Sequence, residues 1–185
     1  LRKGYDEKRI TILPNLPNEA FGHVPWKEKR PYDIVSFSRI DKNKNVILRI
    51  RALARLKEKI HPRVIIAGDG TELETIKQAV KQHQMEEWVR FVGYVSQIQQ
   101  KIETLSNSTL FISCSKGEGF PVALLEAMAC GCVPIVSDVG DISDVIEPDK
   151  NGLIYHDTDH EEELASLIEK LLLDKQLAQQ MSKET

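Results

Sequence analysis

The sequence has few cysteines, and their arrangement argues against a disulfide framework. The three cysteines, Cys114, Cys130 and Cys132, are an odd number. The pair Cys130 and Cys132 is separated by one residue, whereas zinc and redox motifs commonly separate their cysteines by two. We therefore expect buried thiols in the reducing environment of the cytoplasm.

The sequence also lacks an excess of charge and a long apolar run. Its 25 Lys and Arg residues are set against 28 Asp and Glu residues, which leaves a formal net charge of −3. This balance gives no electrostatic basis for binding nucleic acid or an anionic membrane. No apolar run approaches the roughly 20 residues that a membrane-spanning helix requires.

The residue pattern at the start of the chain indicates little helix or strand. The chain has 185 residues, which suits one domain, and it begins at Leu1 rather than Met. We therefore expect a piece of a longer protein. Four prolines interrupt residues 1–31, which predicts a lead-in or interdomain linker there and a folded domain over residues 32–185. The charged run 26–30 is expected to be solvated.

From residue 32 onward, short apolar runs alternate with amphipathic stretches. The apolar runs predict strands at 34–37, 64–67, 89–92, 110–113, 133–137 and 152–155. The amphipathic stretches predict helices at 46–56, 97–106, 121–130 and 159–173, with another after 71. This order predicts an α/β fold with a Rossmann-like, doubly wound parallel sheet. Ligands of such sheets bind at the carboxyl ends of the strands.

Two helix starts carry the spacing of a capping box. Thr71 is followed by Glu74, and Asp159 is followed by Glu162. The run 156–160 mixes residue types that bind metals, but a cap for the last helix explains it better. No metal site is predicted.

The strongest functional signal is the segment 115–131, which follows a predicted buried strand and opens a helix. Pro121 suits the first helical position, because its missing N–H would have no partner there. The N–H groups of Val122 and Ala123 would then face out of the helix end. Together with the helix dipole they predict an anion site.

Two carboxylates accompany this helix start. Glu126 has only apolar sequence neighbours, where an unpaired charge is costly. A ribose diol is a suitable partner, since a carboxylate accepts two O–H hydrogen bonds. Glu118 lies eight positions earlier, so the two acids can hold a sugar and a ribose of one ligand. The alternatives are a surface glutamate at 126 and a charge at 118 that complements the helix dipole.

Glu118 and Glu126 resemble the E-x7-E element of the retaining glycosyltransferases of the GT-B fold, in particular family 4 (glycosyl transferases group 1). Further segments resemble motifs of this family, in the same order and over nearly the whole chain. They are residues 12–15, 37–44, 67–70, 91–95, 131–136 and 151–154. The resemblance implies the C-terminal, donor-binding half of a GT-B enzyme, without its N-terminal acceptor domain.

The resemblance also implies a role for each matching residue. Arg39 and Lys44 would contact the donor diphosphate, where fixed cations stabilise the charge of the leaving group. Glu118 would bind sugar hydroxyls, and these three residues form the predicted catalytic set. Glu126 would bind the ribose. The other predicted donor-binding residues are Gly68, Gly93, Tyr94, Val95, Gly119, Phe120, Val122 and Ala123.

Some positions depart from the family pattern. Ser38, Asn45, Pro121 and Asp141 stand where the family usually has glycine. These departures leave the class of protein unchanged, but they bear on the geometry of the phosphate loop and on the choice of sugar.

The implied reaction is transfer of a sugar, of the hexosyltransferase type, from UDP-, GDP- or another nucleotide-sugar to an acceptor hydroxyl, with retention of anomeric configuration. No cofactor and no catalytic metal are implied. An acceptor sugar or lipid-linked glycan would bind through the N-terminal domain, as in polysaccharide biosynthesis, in the cytoplasm or at the inner face of the membrane. A nucleotide-sugar 2-epimerase and a non-catalytic nucleotide-sugar-binding module remain as alternatives.

Overall fold

Six parallel strands form the centre of the molecule, in a computed structural model that describes residues 16–119 and 121–185. The strands are β1 (Tyr32–Phe37), β2 (Val64–Ala67), β3 (Val89–Gly93), β4 (Ser108–Ser113), β5 (Val133–Ser137) and β6 (Leu153–Tyr155). The helices are α1 (Val46–Leu56), α2 (Leu73–Gln82), α3 (Ile98–Ser106), α4 (Val122–Ala129), α5 (Glu162–Leu173) and α6 (Lys175–Ser182). Short 3-10 helices lie at Glu19–His23 and Ile142–Asp144.

The order of the strands creates a switch point at the centre of the sheet. The order is β3-β2-β1-β4-β5-β6, and every neighbouring pair is parallel. The chain moves outward from β1 to β3 and then returns to place β4 on the other side of β1. The loops that follow β1 and β4 therefore diverge, which opens a crevice at the carboxyl ends of these two strands. The predicted doubly wound α/β sheet is confirmed.

Both faces of the sheet are buried, which explains why the strands read as continuous apolar runs. Ile34, Ile66 and Ile112 face a core formed with α1, α2, α5 and α6. Val35 and Phe111 face a second core formed with α3 and α4. Since α1 and α4 cover opposite faces, their first turns approach the central crevice from opposite sides.

The lead-in segment packs against the domain over its described part. Phe21 is 1% exposed and belongs to the core on the α3 and α4 side. The indole Nε1 of Trp26 donates a hydrogen bond to Ser182 Oγ at 2.9 Å, and Arg30 Nη1 donates to the Ser108 carbonyl at 2.7 Å. The expectation of a solvated run at 26–30 is therefore correct only in part: Glu28 and Lys29 are exposed, whereas Trp26 and Arg30 hold the run to the domain. These side chains reach carbonyl and hydroxyl groups that are distant in sequence, which no local pattern reveals.

The two predicted capping boxes are also wrong. Helix α2 begins at Leu73 and its cap position, Glu72, makes no side-chain hydrogen bond; Glu74 pairs instead with Lys77 at 2.7 Å. Near α5, the Asp159 carboxylate binds Lys116 Nζ at 2.5 Å rather than capping the helix.

The turn before α5 is held by a different acid. Glu163 Oε2 accepts the backbone N–H groups of His156 and Asp157, each at 2.9 Å. Within residues 16–119 and 121–185, no group of three His, Cys, Asp or Glu side chains is placed to hold a metal ion. None of the helices in these ranges combines the length and the apolar content needed to cross a bilayer.

The thiols of all three cysteines are free and buried, as expected. Burial raises the pKa of Cys130, and it raises the pKa of Cys132 to about 12, so both thiols stay protonated at neutral pH.

Candidate functional site

The loops that follow β1 and β4 are tied to each other at the central crevice. The backbone N–H of Lys116 donates to the Asn43 carbonyl at 2.8 Å, and Asn43 Nδ2 donates to the Gly117 carbonyl at 2.8 Å. This exchange sets the distance between the two loops. Asn43 was not among the predicted residues, because its part in the site depends on a loop more than seventy residues away.

Lys44 and Glu118 form an ion pair across these two loops. Lys44 Nζ contacts Glu118 Oε1, which also accepts a hydrogen bond from Ser115 Oγ at 2.9 Å. The two charged side chains are 17% and 16% exposed. Lys44 is itself positioned by its backbone N–H, which donates to Asp41 Oδ1 at 3.0 Å. The structure thus brings together two members of the predicted catalytic set.

The third member of that set, Arg39, stands apart from the pair. Its side chain is 77% exposed, and its Nη2 lies 3.3 Å from Asp41 Oδ2. It borders the crevice on the β1 side, but its ion pair is with Asp41, while Glu118 pairs with Lys44.

The crevice consists of two adjoining cavities of about 280 and 260 Å³. They share Phe37, Ser38, Arg39 and Ala123. The first also contains Lys44, Glu118 and Val122, which were predicted to bind phosphate and sugar. The second also contains Gly68, Tyr94, Val95 and Lys101, of which the first three were predicted to bind the donor. The two groups of predicted residues therefore occupy neighbouring halves of one crevice.

The start of α4 faces the first cavity. Helix α4 begins at Val122, and Pro121 is its extended cap residue, with φ −79° and ψ 104°. The placement of Pro121 inside the first turn is therefore wrong by one position. The Leu124 N–H donates to the Pro121 carbonyl at 3.0 Å. The amides of Val122 and Ala123 come before it, where an α-helix offers no acceptor of its own. Both residues border the cavity, so the helix end points at the crevice.

Glu126 is buried and lines neither of the two cavities; Lys101, which it contacts, lines the second. Glu126 is 8% exposed, and its Oε2 forms an ion pair with Lys101 Nζ from the neighbouring helix α3. Lys101 Nζ also lies 5.6 Å from the centroid of the Phe37 ring. Sequence reasoning missed Lys101. A signal was present, because a buried carboxylate needs a cation, but several lysines were candidates and only the packing of α3 on α4 selects one.

Close backbone contacts hold the rim together at two glycines. Gly68 has φ +144°, and a Cβ added there would lie 1.8 Å from the Ser38 carbonyl oxygen. Its N–H donates to the Gly93 carbonyl at 2.8 Å, which joins the ends of β2 and β3. Gly140 has φ +63°, and an added Cβ would lie 2.2 Å from the carbonyl oxygen of Gly119. The loop after β5 thereby supports the loop that carries Glu118.

Two predicted donor-binding residues remain, Tyr94 and Phe120. Tyr94 is 79% exposed at the edge of the second cavity, where it is free to meet a ligand. Phe120 lies outside the described residues.

The sheet order and the crevice define a Rossmann-like domain of the GT-B fold, and solved glycosyltransferases share this architecture. Residues 19–185 match the family described as Glycosyl transferases group 1. The chain belongs to this family.

Individual relatives agree with this assignment. N-acetyl-alpha-D-glucosaminyl L-malate synthase of Bacillus anthracis is 34% identical over 121 residues, which are 65% of this chain and 31% of that protein. A mutant of TarM from S. aureus, solved in complex with fondaparinux, alpha-GlcNAc-glycerol and UDP, superimposes with a TM-score of 0.76 at 25% identity, over 86% of this chain and 32% of that one.

A third similar protein matches along almost its whole length. The C-terminal domain of a glycosyl transferase group 1 family protein (LpcC) from Francisella tularensis superimposes with a TM-score of 0.73 at 24% identity, over 92% of this chain and 90% of that chain. By contrast, the chain spans less than half the length of the curated relatives it matches, 31% and 43% for two of them.

Proposed function

We propose that this chain is the donor-binding half of a retaining glycosyltransferase, which transfers a hexose-type sugar from a UDP-, GDP- or other nucleotide-sugar to an acceptor hydroxyl. The observation that supports this most is the divided crevice at the switch point. One half holds the Lys44–Glu118 pair beside the start of α4, and the other is bordered by Lys101 and is open to backbone groups of β2 and β3.

In this proposal each part of the donor has a complementary surface. The diphosphate binds at the amides of Val122 and Ala123, where the helix dipole favours an anion. The sugar lies against Glu118, and the ribose lies against Glu126. The base rests beside Gly93, Tyr94 and Val95, and Gly68 lies in the wall of the same cavity. The TarM structure, which contains UDP, supports a nucleotide as the ligand.

The chemistry proposed for the crevice is stabilisation of a leaving group. When the bond between the sugar and the diphosphate breaks, negative charge develops on the diphosphate. Lys44 and the start of α4 are fixed positive groups near that position, and preorganised charges of this kind are commonly the largest source of catalysis. The exposed Arg39 borders the same crevice and is proposed to add its charge when the donor is bound. The proposal assigns this work to groups of the protein and not to a metal ion.

The acceptor is proposed to bind outside this chain. The lengths of the relatives support a further domain, which would carry the acceptor sugar or lipid-linked glycan and close over the donor. We place the full-length enzyme in the cytoplasm or at the inner face of the membrane, in polysaccharide biosynthesis.

Glu126→Ala is expected to weaken nucleotide binding about 10-fold to 100-fold, since a hydrogen bond to a charged acceptor contributes about 1.5–3 kcal/mol. Isothermal titration calorimetry with UDP and GDP measures this. Glu74→Ala is a matched control, because this exposed glutamate on α2 belongs to a surface pair with Lys77. Unchanged affinity in Glu126→Ala would remove the ribose assignment. Absence of binding to both nucleotides by the unmodified protein would remove the proposed function.

The isolated 185-residue chain is expected to bind nucleotide and to transfer no sugar. Alignment of two reactants contributes several orders of magnitude in rate, and this chain supplies a surface for only one of them under the proposal. A steady-state assay with radiolabelled nucleotide-sugars and candidate acceptors compares the chain with the full-length enzyme. Robust transfer by the isolated chain would contradict the division of roles between the two domains.

A further inference from the structure

We propose that Lys101 is a positioning residue that pairs with the Glu126 carboxylate and keeps it in place to accept the ribose hydroxyls of the donor. This inference rests on the proposed function, because the role of Glu126 comes from it. Lys101 lies outside every segment that carries the family resemblance, and the need of Glu126 for a cation does not by itself distinguish Lys101 from the other lysines.

The contacts of Lys101 are specific. Its side chain extends from α3 to α4, where it is 23% exposed and pairs with Glu126, whose side chain is 10% exposed. On its other side the ammonium group lies over the Phe37 ring. A cation between a carboxylate and an aromatic face is attracted to both. Lys101 therefore has a defined place at the wall of the second cavity.

The carboxylate retains unused capacity to accept hydrogen bonds. Glu126 Oε2 is buried, and the group that it meets within the described residues is Lys101 Nζ. A carboxylate offers about four lone-pair sites, so one contact with an ammonium group leaves others for hydroxyl donors. The hydroxyls of a ribose would be such donors, beside the cavity that Lys101 borders. The pair thus combines charge compensation with an available acceptor.

Other ionisable groups near Glu126 do not replace this cation. Cys130 lies one turn further along α4, and burial raises its pKa, so it carries no charge at neutral pH. Arg30, in the lead-in segment, lies near Cys130, and its guanidinium group forms no ion pair with Glu126. Burial lowers the pKa of Arg30. Arg39, from the loop after β1, is exposed and paired with Asp41. Among the described residues, Lys101 is the cation in contact with Glu126.

A nearby cation determines whether a buried carboxyl group loses its proton. Burial without a nearby positive charge raises the pKa of a carboxyl group, so the group keeps its proton at a pH where a solvated acid would lose it. A protonated carboxyl accepts hydroxyl hydrogen bonds less strongly than a carboxylate. Removal of Lys101 should therefore impair ribose binding in a way that a rise in pH reverses.

The test uses Lys101→Met, which keeps an unbranched apolar stem without the ammonium group, and Lys101→Arg, which keeps the charge. Calorimetry measures the dissociation constants of UDP and 2′-deoxy-UDP between about pH 6 and pH 9, a range in which buried carboxyls titrate. Dividing each variant's constant by that of the unmodified protein removes the titration of UDP itself. We expect Lys101→Met to bind UDP about tenfold more weakly at the acidic end and to recover as the pH rises, while Lys101→Arg stays close to the unmodified protein.

The ligand lacking the 2′-hydroxyl separates ribose recognition from other effects. Lys101→Met should lose less affinity for 2′-deoxy-UDP than for UDP. A loss that is equal for both ligands and constant with pH would overturn the inference, since Lys101 would then act on another part of the nucleotide or on the fold.

A double variant tests the inference even if a buried carboxyl group without its cation destabilises the protein. Glu126→Gln with Lys101→Met removes both charges, and thermal unfolding checks its stability. We expect its affinity for UDP to equal that of Glu126→Gln alone, because Lys101 acts through Glu126. A further loss in the double variant would contradict this mechanism. Failure of the unmodified protein to bind UDP or GDP would instead refute the proposed function.

Discussion

Glu118→Gln is expected to reduce the kcat of the full-length enzyme at least about a hundredfold, which is a typical loss for one preorganised charge-stabilising group. The glutamine keeps the shape of the side chain and can still contact Ser115, but it carries no charge. Lys44 would lose its partner in a crevice where the side chains of both residues are less than 20% exposed, and breaking such a pair is costly. The carboxylate that is proposed to accept sugar hydroxyls would be lost as well.

The substitution should lower the rate of sugar transfer and not the affinity for the nucleotide. Under the proposal, Glu118 contacts the sugar, so the affinity for UDP measured by calorimetry should change little while the steady-state rate falls. Equal losses in both measurements would place Glu118 at the diphosphate. An unchanged kcat at saturating donor would remove Glu118 from the catalytic set.

A neighbouring ion pair provides the control. Lys116 precedes Glu118 in the same loop and binds Asp159 at 2.5 Å, with side chains that are 47% and 70% exposed. Exposed pairs of this kind contribute about 0–1 kcal/mol. Asp159→Asn should therefore leave kcat within about twofold of the unmodified enzyme, since it removes a charge near the same loop without entering the crevice.

Gly68→Ala is expected to reduce the free energy of unfolding by about 2–5 kcal/mol, which combines backbone strain with overpacking. The residue has φ +144°, a conformation that residues with a Cβ rarely adopt, and the new Cβ would lie 1.8 Å from the Ser38 carbonyl oxygen. The loops after β1 and β2 would have to separate. Because Gly68 also borders the second cavity, nucleotide binding should weaken with stability.

Urea unfolding of Gly68→Ala and Gly22→Ala compares two glycines in different settings. A Cβ at Gly22 would have no heavy atom within 4 Å. Gly22→Ala should therefore change the free energy of unfolding by about 0.5 kcal/mol or less, as for surface substitutions. If the two variants were equally stable and Gly68→Ala bound UDP normally, the close packing of the rim would not be needed for either property.

The bounds of several strands and helices could be predicted closely from local patterns in the sequence. The strands at 64–67 and 133–137 have the predicted bounds, and α1 begins and ends where its apolar spacing indicated. The two strands are buried along their whole length, as continuous apolar runs predict, and α1 buries the side that carries its apolar residues. Local sequence therefore carries the information. The caps were less predictable: α2 begins two residues after Thr71, with Glu72 at the cap position, and the Asp159 carboxylate binds Lys116 instead. Near α5, Glu163 holds the preceding turn through contacts with residues 156 and 157 and does not cap the helix.

The site was predictable where it follows a motif. Glu118, Glu126 and Lys44 could be named because their spacing resembles a family pattern, and Lys44 does contact Glu118. Asn43 and Lys101 could not be predicted. Asn43 binds the loop after β4, which is distant in sequence. Lys101 binds Glu126 on α4, and only the topology of the sheet places α3 beside that helix. The packing of the lead-in through Trp26 has the same cause.

The sequence by itself determined the alternation of strands and helices, the parallel sheet and the acidic loop that opens α4, because each depends on residues that are close in the chain. The tertiary structure alone decided which charges meet. It placed Lys44 against Glu118 and Lys101 against Glu126, and it left Arg39 exposed. Electrostatic pairing depends on distance in space and on burial, and both arise only after the sheet has brought separate segments to one rim.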